Sequence, residues 1–171
     1  MNALDGQSGG ELGVEAPAFG EGDPVAVLGL DGIVEGWIPK LEGRMSDGLN
    51  EADLMRVRAP GPDGNSSRWI ELDLDNVVAV AAPPRPPSPA RVARRQHAIE
   101  IDAGPYRVHG TVHLPLGADP RRYVGGTGRR WLPLTNCTVA LGDDAFAVDV
   151  VIVNMDYAVR RNVAAYPPAF L

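Results

Sequence analysis

The densest group of chemically capable residues is Arg121-Arg122-Tyr-Val-Gly125-Gly126-Thr-Gly128-Arg129-Arg130. Glycines in close succession let backbone N–H groups converge on an anion as a nest, and guanidinium groups on both flanks supply charge and paired donors. Arg121, Arg122, Gly125, Gly126, Gly128, Arg129 and Arg130 therefore form a candidate anion or nucleic-acid site. The plainer alternative is a solvated hairpin loop punctuated by glycine. No Lys-Ser or Lys-Thr follows the glycines, so the stretch is not a P-loop.

Metal and catalytic chemistry find less support. His109 and His113 share one side of a strand but stand roughly 13 Å apart at ~3.3 Å per residue, too far for one ion. With one cysteine and no His-x-His, no metal is expected. Cys137 lies within an apolar alternation and reads as an inert, packed thiol. Ser46-Asp47 has no histidine nearby, and the carboxylates form no recognisable acid–base pair. The chain reads as non-enzymatic, with no cofactor.

Apolar residues at polar positions point instead to protein contacts. Trp37 falls on the outer face of its strand beside Glu35 if Val34 and Ile38 point inward, and an exposed tryptophan is a favoured interface anchor. Met45, Leu49 and Leu54 extend that patch. Val151 and Val153 add apolar groups to a face that the alternation of Phe146, Val148, Val150 and Ile152 assigns to solvent. That face is expected to be covered by the other of two barrels in the chain or by a second subunit.

The elements that position these residues come in two copies. Val25-x-Val27 followed by Val34-x-Gly36-x-Ile38 recurs, without a gap and 74 positions later, as Ile99-x-Ile101 followed by Val108-x-Gly110-x-Val112. A displaced copy of a β pattern implies two similar units of about 60 residues, each too small to be more than marginally stable alone. In the first unit, strands are predicted at Val25–Val27, Ile33–Ile38, Met55–Ala59, Ile70–Leu74 and Val77–Val80, the first two joined through Asp31-Gly32. The second unit repeats the order. There Leu132 and Leu134 occupy even positions while Cys137, Val139 and Leu141 occupy odd ones, which predicts a bulge near Asn136. The expected organisation is a disordered tail (1–22), a small barrel (23–82), a Pro/Arg-rich linker (83–96), a second barrel (97–163) and a C-terminal tail (164–171). Five prolines between Ala82 and Ala90 exclude a sheet interior and suit a polyproline-type spacer.

Composition bounds the setting. The 171 residues carry a net charge of −6, but residues 1–82 hold 5 Lys/Arg against 15 Asp/Glu while residues 83–171 hold 11 against 7. An acidic half followed by a basic one favours head-to-tail association, or an anion on the basic half. A single cysteine asks for no oxidising compartment, no run approaches the ~20 apolar residues of a spanning helix, and the N-terminus lacks a signal-peptide pattern. A cytoplasmic protein is expected.

Five short strands, a central glycine in the second, and a very short link between the fourth and fifth resemble the Sm and LSm family of SH3-like barrels. The family's strand-two glycine matches Gly36 and Gly110. Asp47-Gly-Leu-Asn50 is similar to the family's nucleotide-binding loop, one residue shorter. The chain departs from the family where RNA-binding members carry Arg-Gly between strands four and five: Leu72-Asp-Leu-Asp-Asn76 puts carboxylates there, the second copy has Val153-Asn-Met-Asp-Tyr157, and its loop counterpart is Gly125-Gly-Thr-Gly128. RNA binding by the first unit is thus disfavoured on charge. The Arg44-x-Ser-Asp-x-Leu-Asn50 box resembles one in uncharacterised bacterial proteins of this barrel type. Arg91-x-x-x-Arg95 resembles the arginine pair of PilZ domains, whose partner motif Asp-x-Ser-x-x-Gly is absent downstream. The resemblance implies an all-β protein of two tandem five-stranded barrels that acts as an assembly or adaptor module, binding protein partners or its own copies. The alternative is anion or nucleic-acid binding by the basic unit.

Overall fold

Residues 22–41, 43–64, 66–85, 93–126 and 129–163 are described by a computed structural model of the chain. The first half contains β1 (Asp23–Gly29), β2 (Ile33–Ile38), helix α1 (Met45–Glu51), β3 (Leu54–Pro60), β4 (Ser67–Asp73), a 3₁₀ turn (Leu74–Asn76) and β5 (Val77–Ala82). The second repeats this plan with β6 (Arg94–Ala103), β7 (Tyr106–Pro115), α2 (Pro120–Gly126), β8 (Trp131–Leu141), β9 (Asp144–Asn154), a 3₁₀ turn (Met155–Tyr157) and β10 (Ala158–Val163). The expected tail at 1–22, all but its last residue, lies outside the described residues, as do 86–92 of the linker and 164–171 of the C-terminal tail.

The fold is all-β, but the expectation of two tandem barrels is corrected. The described strands form one antiparallel sheet of ten, in the order β10-β6-β7-β8-β9-β5-β1-β2-β3-β4, and it does not close. The physical reason lies at the join. β5 and β9 pair through Ala79↔Val153, Val80↔Ile152, Ala81↔Val151 and Ala82↔Val150. Both segments are runs of small or β-branched apolar residues without alternation, the pattern of a strand buried on both faces. Left as edges, they would expose apolar side chains together with unpaired backbone groups.

Two cores occupy opposite faces of the sheet near this seam. Ala26, Leu28, Val78, Ala81, Val151 and Val153 point into the core of the second half. Val25, Val27, Val77, Val80 and Ile152 point into that of the first, which Trp131 of the second half also enters. Each half thus completes its core with residues from the other.

The two matched glycines, in β2 and β7, are required for a steric reason. A Cβ on Gly36 would strike the Arg58 carbonyl oxygen and lie 2.7 Å from Val57 Cγ1; on Gly110 it would lie 2.8 Å from Cys137 Sγ and 3.1 Å from Leu134 Cβ. Only a residue without a side chain lets the neighbouring strand cross that closely. The phase slip in β8 is a bulge: the β7–β8 register shifts between His109↔Thr138 and Thr111↔Thr135, and Asn136 takes a φ of 51°.

Candidate functional site

Among the described residues of the arginine–glycine stretch, Gly125 and Gly126 form no nest. Gly125 and Gly126 belong to the last turn of α2, where consecutive N–H groups point along the helix instead of converging, and Gly128 lies outside the described residues. Arg121 and Arg122 are exposed on α2. Arg130 is committed to the structure. Its Nη2 donates to the Leu74 carbonyl at 2.9 Å and to Asp75 Oδ1 at 2.5 Å, its Nε lies 3.1 Å from Asp156 Oδ2, and its guanidinium stands over the Trp131 ring. It therefore ties both 3₁₀ turns together.

The expected apolar patch is also corrected. Trp37 is 3% exposed, not a surface anchor; the cross-strand pair Trp37↔Arg58 brings the Arg58 guanidinium over its ring at 6.0 Å. Met45 and Leu49 are buried in the core of the first half, because the box that holds them is helix α1 and turns one face inward. Leu54 is exposed at 52%, as expected. Val151 and Val153 are buried within the chain, in the core of the second half, to which β1 and β5 also contribute. The tryptophan that does face solvent is Trp69 on β4, 58% exposed. Its position was legible in the alternation Trp69, Glu71, Asp73.

The Arg44–Asn50 box has a clear structural use. Asn50 Nδ2 donates to the Ser46 carbonyl at 2.6 Å, and its Oδ1 accepts the Trp131 N–H at 3.2 Å. Asn154, fully buried, works in the reverse direction: its Nδ2 donates to the carbonyls of Val77 at 2.9 Å and Leu74 at 3.4 Å, and its Oδ1 accepts the Asp156 N–H at 3.1 Å. Asp73 caps its own turn in the same way by accepting the Asp75 N–H. Tyr157 and Tyr106 donate their hydroxyls to the carbonyls of Asp75 and Gly29.

Two surfaces are left with bonding capacity. One is the pair of outermost strands: among the described residues, β4 has no partner beyond β3 and β10 none beyond β6. The other is a cleft of about 580 Å³ where the halves meet, lined by Asp23 and Arg44–Asp47 of the first half, Ala82 at the end of β5 with Pro83 and Arg85 after it, and Arg94, His113, Tyr123, Arg129 and Thr135 of the second. Arg85 is held there by Asp23 Oδ2 at 2.8 Å and by the Gly43 carbonyl. His113 Nε2 lies 2.7 Å from Thr135 Oγ1; burial first, and Arg94 second, lower its pKa. It is a partly buried cleft residue. His109 by contrast is exposed and pairs with Glu100 at 2.8 Å. Burial pushes the Cys137 thiol up to about 11, so it is protonated and inert at neutral pH. Among the described residues no group of three or more His, Cys, Asp or Glu is placed to hold a metal, and no helix is long and apolar enough to cross a membrane.

No family model matches the chain, and neither does any curated protein or solved structure.

Proposed function

We propose that the chain is a non-enzymatic assembly module, built by duplication of one Sm-like five-stranded unit, that joins to further copies of itself through its outer strands. One observation supports this reading above the others: the strand order β5-β1-β2-β3-β4 of the first half reappears as β10-β6-β7-β8-β9 in the second, and β9 is bonded to β5. In the duplicated numbering β9 is the counterpart of β4, and β5 is the counterpart of β10. The two unpaired edges are thus the same two kinds of strand that already pair once inside the chain.

The register of such a contact follows from the internal one. The two 3₁₀ turns stand 81 positions apart, Leu74 matching Met155. Carrying Ala79↔Val153 to Ala82↔Val150 across by that shift sets Arg160 opposite Leu72, Arg161 opposite Glu71, Asn162 opposite Ile70 and Val163 opposite Trp69. Opposite charges face each other at one position, and the exposed Trp69 meets an apolar residue at another, both favourable cross-strand pairs. Arg161 already donates to the carbonyls of Val124 and Met155, yet a guanidinium has five N–H donors and keeps some for a carboxylate. The contact is head-to-tail, so it propagates into a ring or a filament. The acidic first half and basic second half favour the same orientation.

Light scattering across a concentration series tests this. Mass is expected to rise with concentration, and Glu71→Arg is expected to suppress the rise while leaving circular dichroism unchanged. A chain that stays monomeric at every concentration would overturn the reading, as would binding of single-stranded nucleic acid that falls steeply with salt in place of self-association.

A further inference from the structure

We propose that the cleft between the halves is a binding site for a small phosphorylated molecule with a flat apolar body, of about mononucleotide size. Its volume of about 580 Å³ lies within the range of small-molecule sites and well below what a folded partner or a duplex needs.

The charge of the lining selects the ligand. Four arginines, Arg44, Arg85, Arg94 and Arg129, face the cleft against two carboxylates, Asp23 and Asp47, an excess of two positive charges with His113 neutral. Arg85 and Asp23 neutralise each other. Among the described residues no hydrogen bond or ion pair engages the side chains of Arg44, Arg94 or Arg129. These three reach the cleft from separate places: the segment before α1, the start of β6 and the segment before β8. Guanidinium forks carried on separate elements suit the several oxygens of a phosphate better than the two of a carboxylate, and a phosphate dianion matches the excess charge. A cation is disfavoured by the same charges.

The apolar lining selects the rest of the molecule. Val112, Leu132, Pro133, Val150 and Ile152 line the same cleft as the arginines, together with Tyr123. An inorganic ion would leave that surface wet, whereas a ring attached to the phosphate covers it. Ser46 and Thr135 also line the cleft, and their hydroxyls suit a sugar or other polar linker. The lining comes from both halves, so a bound ligand also bridges the seam. This site is separate from the β4 and β10 edges and does not depend on assembly.

Isothermal titration calorimetry of the full chain with adenosine monophosphate, adenosine and inorganic phosphate tests the assignment. The nucleotide is expected to bind with a Kd below about 1 mM, and adenosine and phosphate each at least tenfold more weakly. Arg94→Ala combined with Arg129→Ala, both exposed positions, is expected to weaken the nucleotide at least tenfold. Arg121→Ala combined with Arg122→Ala, outside the cleft, is expected to leave it unchanged. Thermal unfolding of each variant without ligand shows that the fold is retained. The proposal is overturned if the nucleotide does not bind, if phosphate alone binds as tightly, or if the α2 pair weakens binding as much as the cleft pair does.

Discussion

At the scale of single residues, the clearest prediction concerns the two close crossings. Gly36→Ala puts a methyl against the Arg58 carbonyl and Val57 Cγ1, an overpacking that costs about 1–3 kcal/mol. Gly48→Ala, in α1 with nothing within 4 Å of the added carbon, is expected to stabilise by up to about 1 kcal/mol through helix propensity. Urea unfolding of the two variants checks the contrast. Asn154→Ala removes a fully buried amide from two carbonyls and an N–H and is expected to cost about 1–3 kcal/mol. His113 adds a pH dependence. Burial and then Arg94 lower its folded pKa from 6.5, so between that depressed value and 6.5 the unfolded chain holds more protons, and stability rises with pH across the window. The contribution is complete above pH 6.5 and is lost as pH falls through the folded value. In denaturant titrations at several pH values, wild type is therefore expected to lose more stability than His113→Gln on acidification. Gly36 and Gly110 were legible as a matched pair in the sequence, and so was the packed state of Cys137. Trp37 was not: alternation gives the face of a side chain, and the face called outer is here covered by Arg58 and neighbouring chain.

At the scale of elements, the sequence carried the strands well because each is a short apolar or alternating run between turn formers. Every strand expected in the first half is present, and the β8 bulge falls where the phase slips. The two helices were missed for a physical reason. Met45–Glu51 and Pro120–Gly126 are seven residues each and contain glycine, so propensity reads them as loops. They are held by tertiary contacts: Met45 and Leu49 insert into one core, and Asn50 is pinned to β8. Helices this short are not stable by themselves. The Arg130 network joins the two 3₁₀ turns, yet Asp75 and Asp156 are mostly exposed, so the ion pairs are screened and individually weak. Arg130→Ala is expected to cost about 1–2 kcal/mol, chiefly through the hydrogen bond to the Leu74 carbonyl, with little change between low and high salt in thermal unfolding. Ile152→Ala, at the seam, opens a cavity in the core of the opposite half and is expected to cost about 2–5 kcal/mol. Both halves should then unfold in one transition.

At the scale of the whole molecule, the repeat was visible in the sequence and the join was not. A displaced pattern reports that two units are alike; it carries no information on whether their edges meet. The hint was present in Val77–Ala82 and Val150–Val153, runs too apolar on both faces for barrels standing apart. Their pairing turns two units into one sheet with two cores, and leaves a fourth-type strand at one end and a fifth-type strand at the other. The most direct test of repeated edge pairing is a mixing experiment read by sedimentation velocity. Glu71→Arg and Arg161→Glu are each expected to stay monomeric alone, because like charges then face each other, while an equimolar mixture restores assemblies in which the two variants alternate. Assembly by either variant alone, or a mixture that remains monomeric where wild type assembles, would contradict the pairing of β4 with β10.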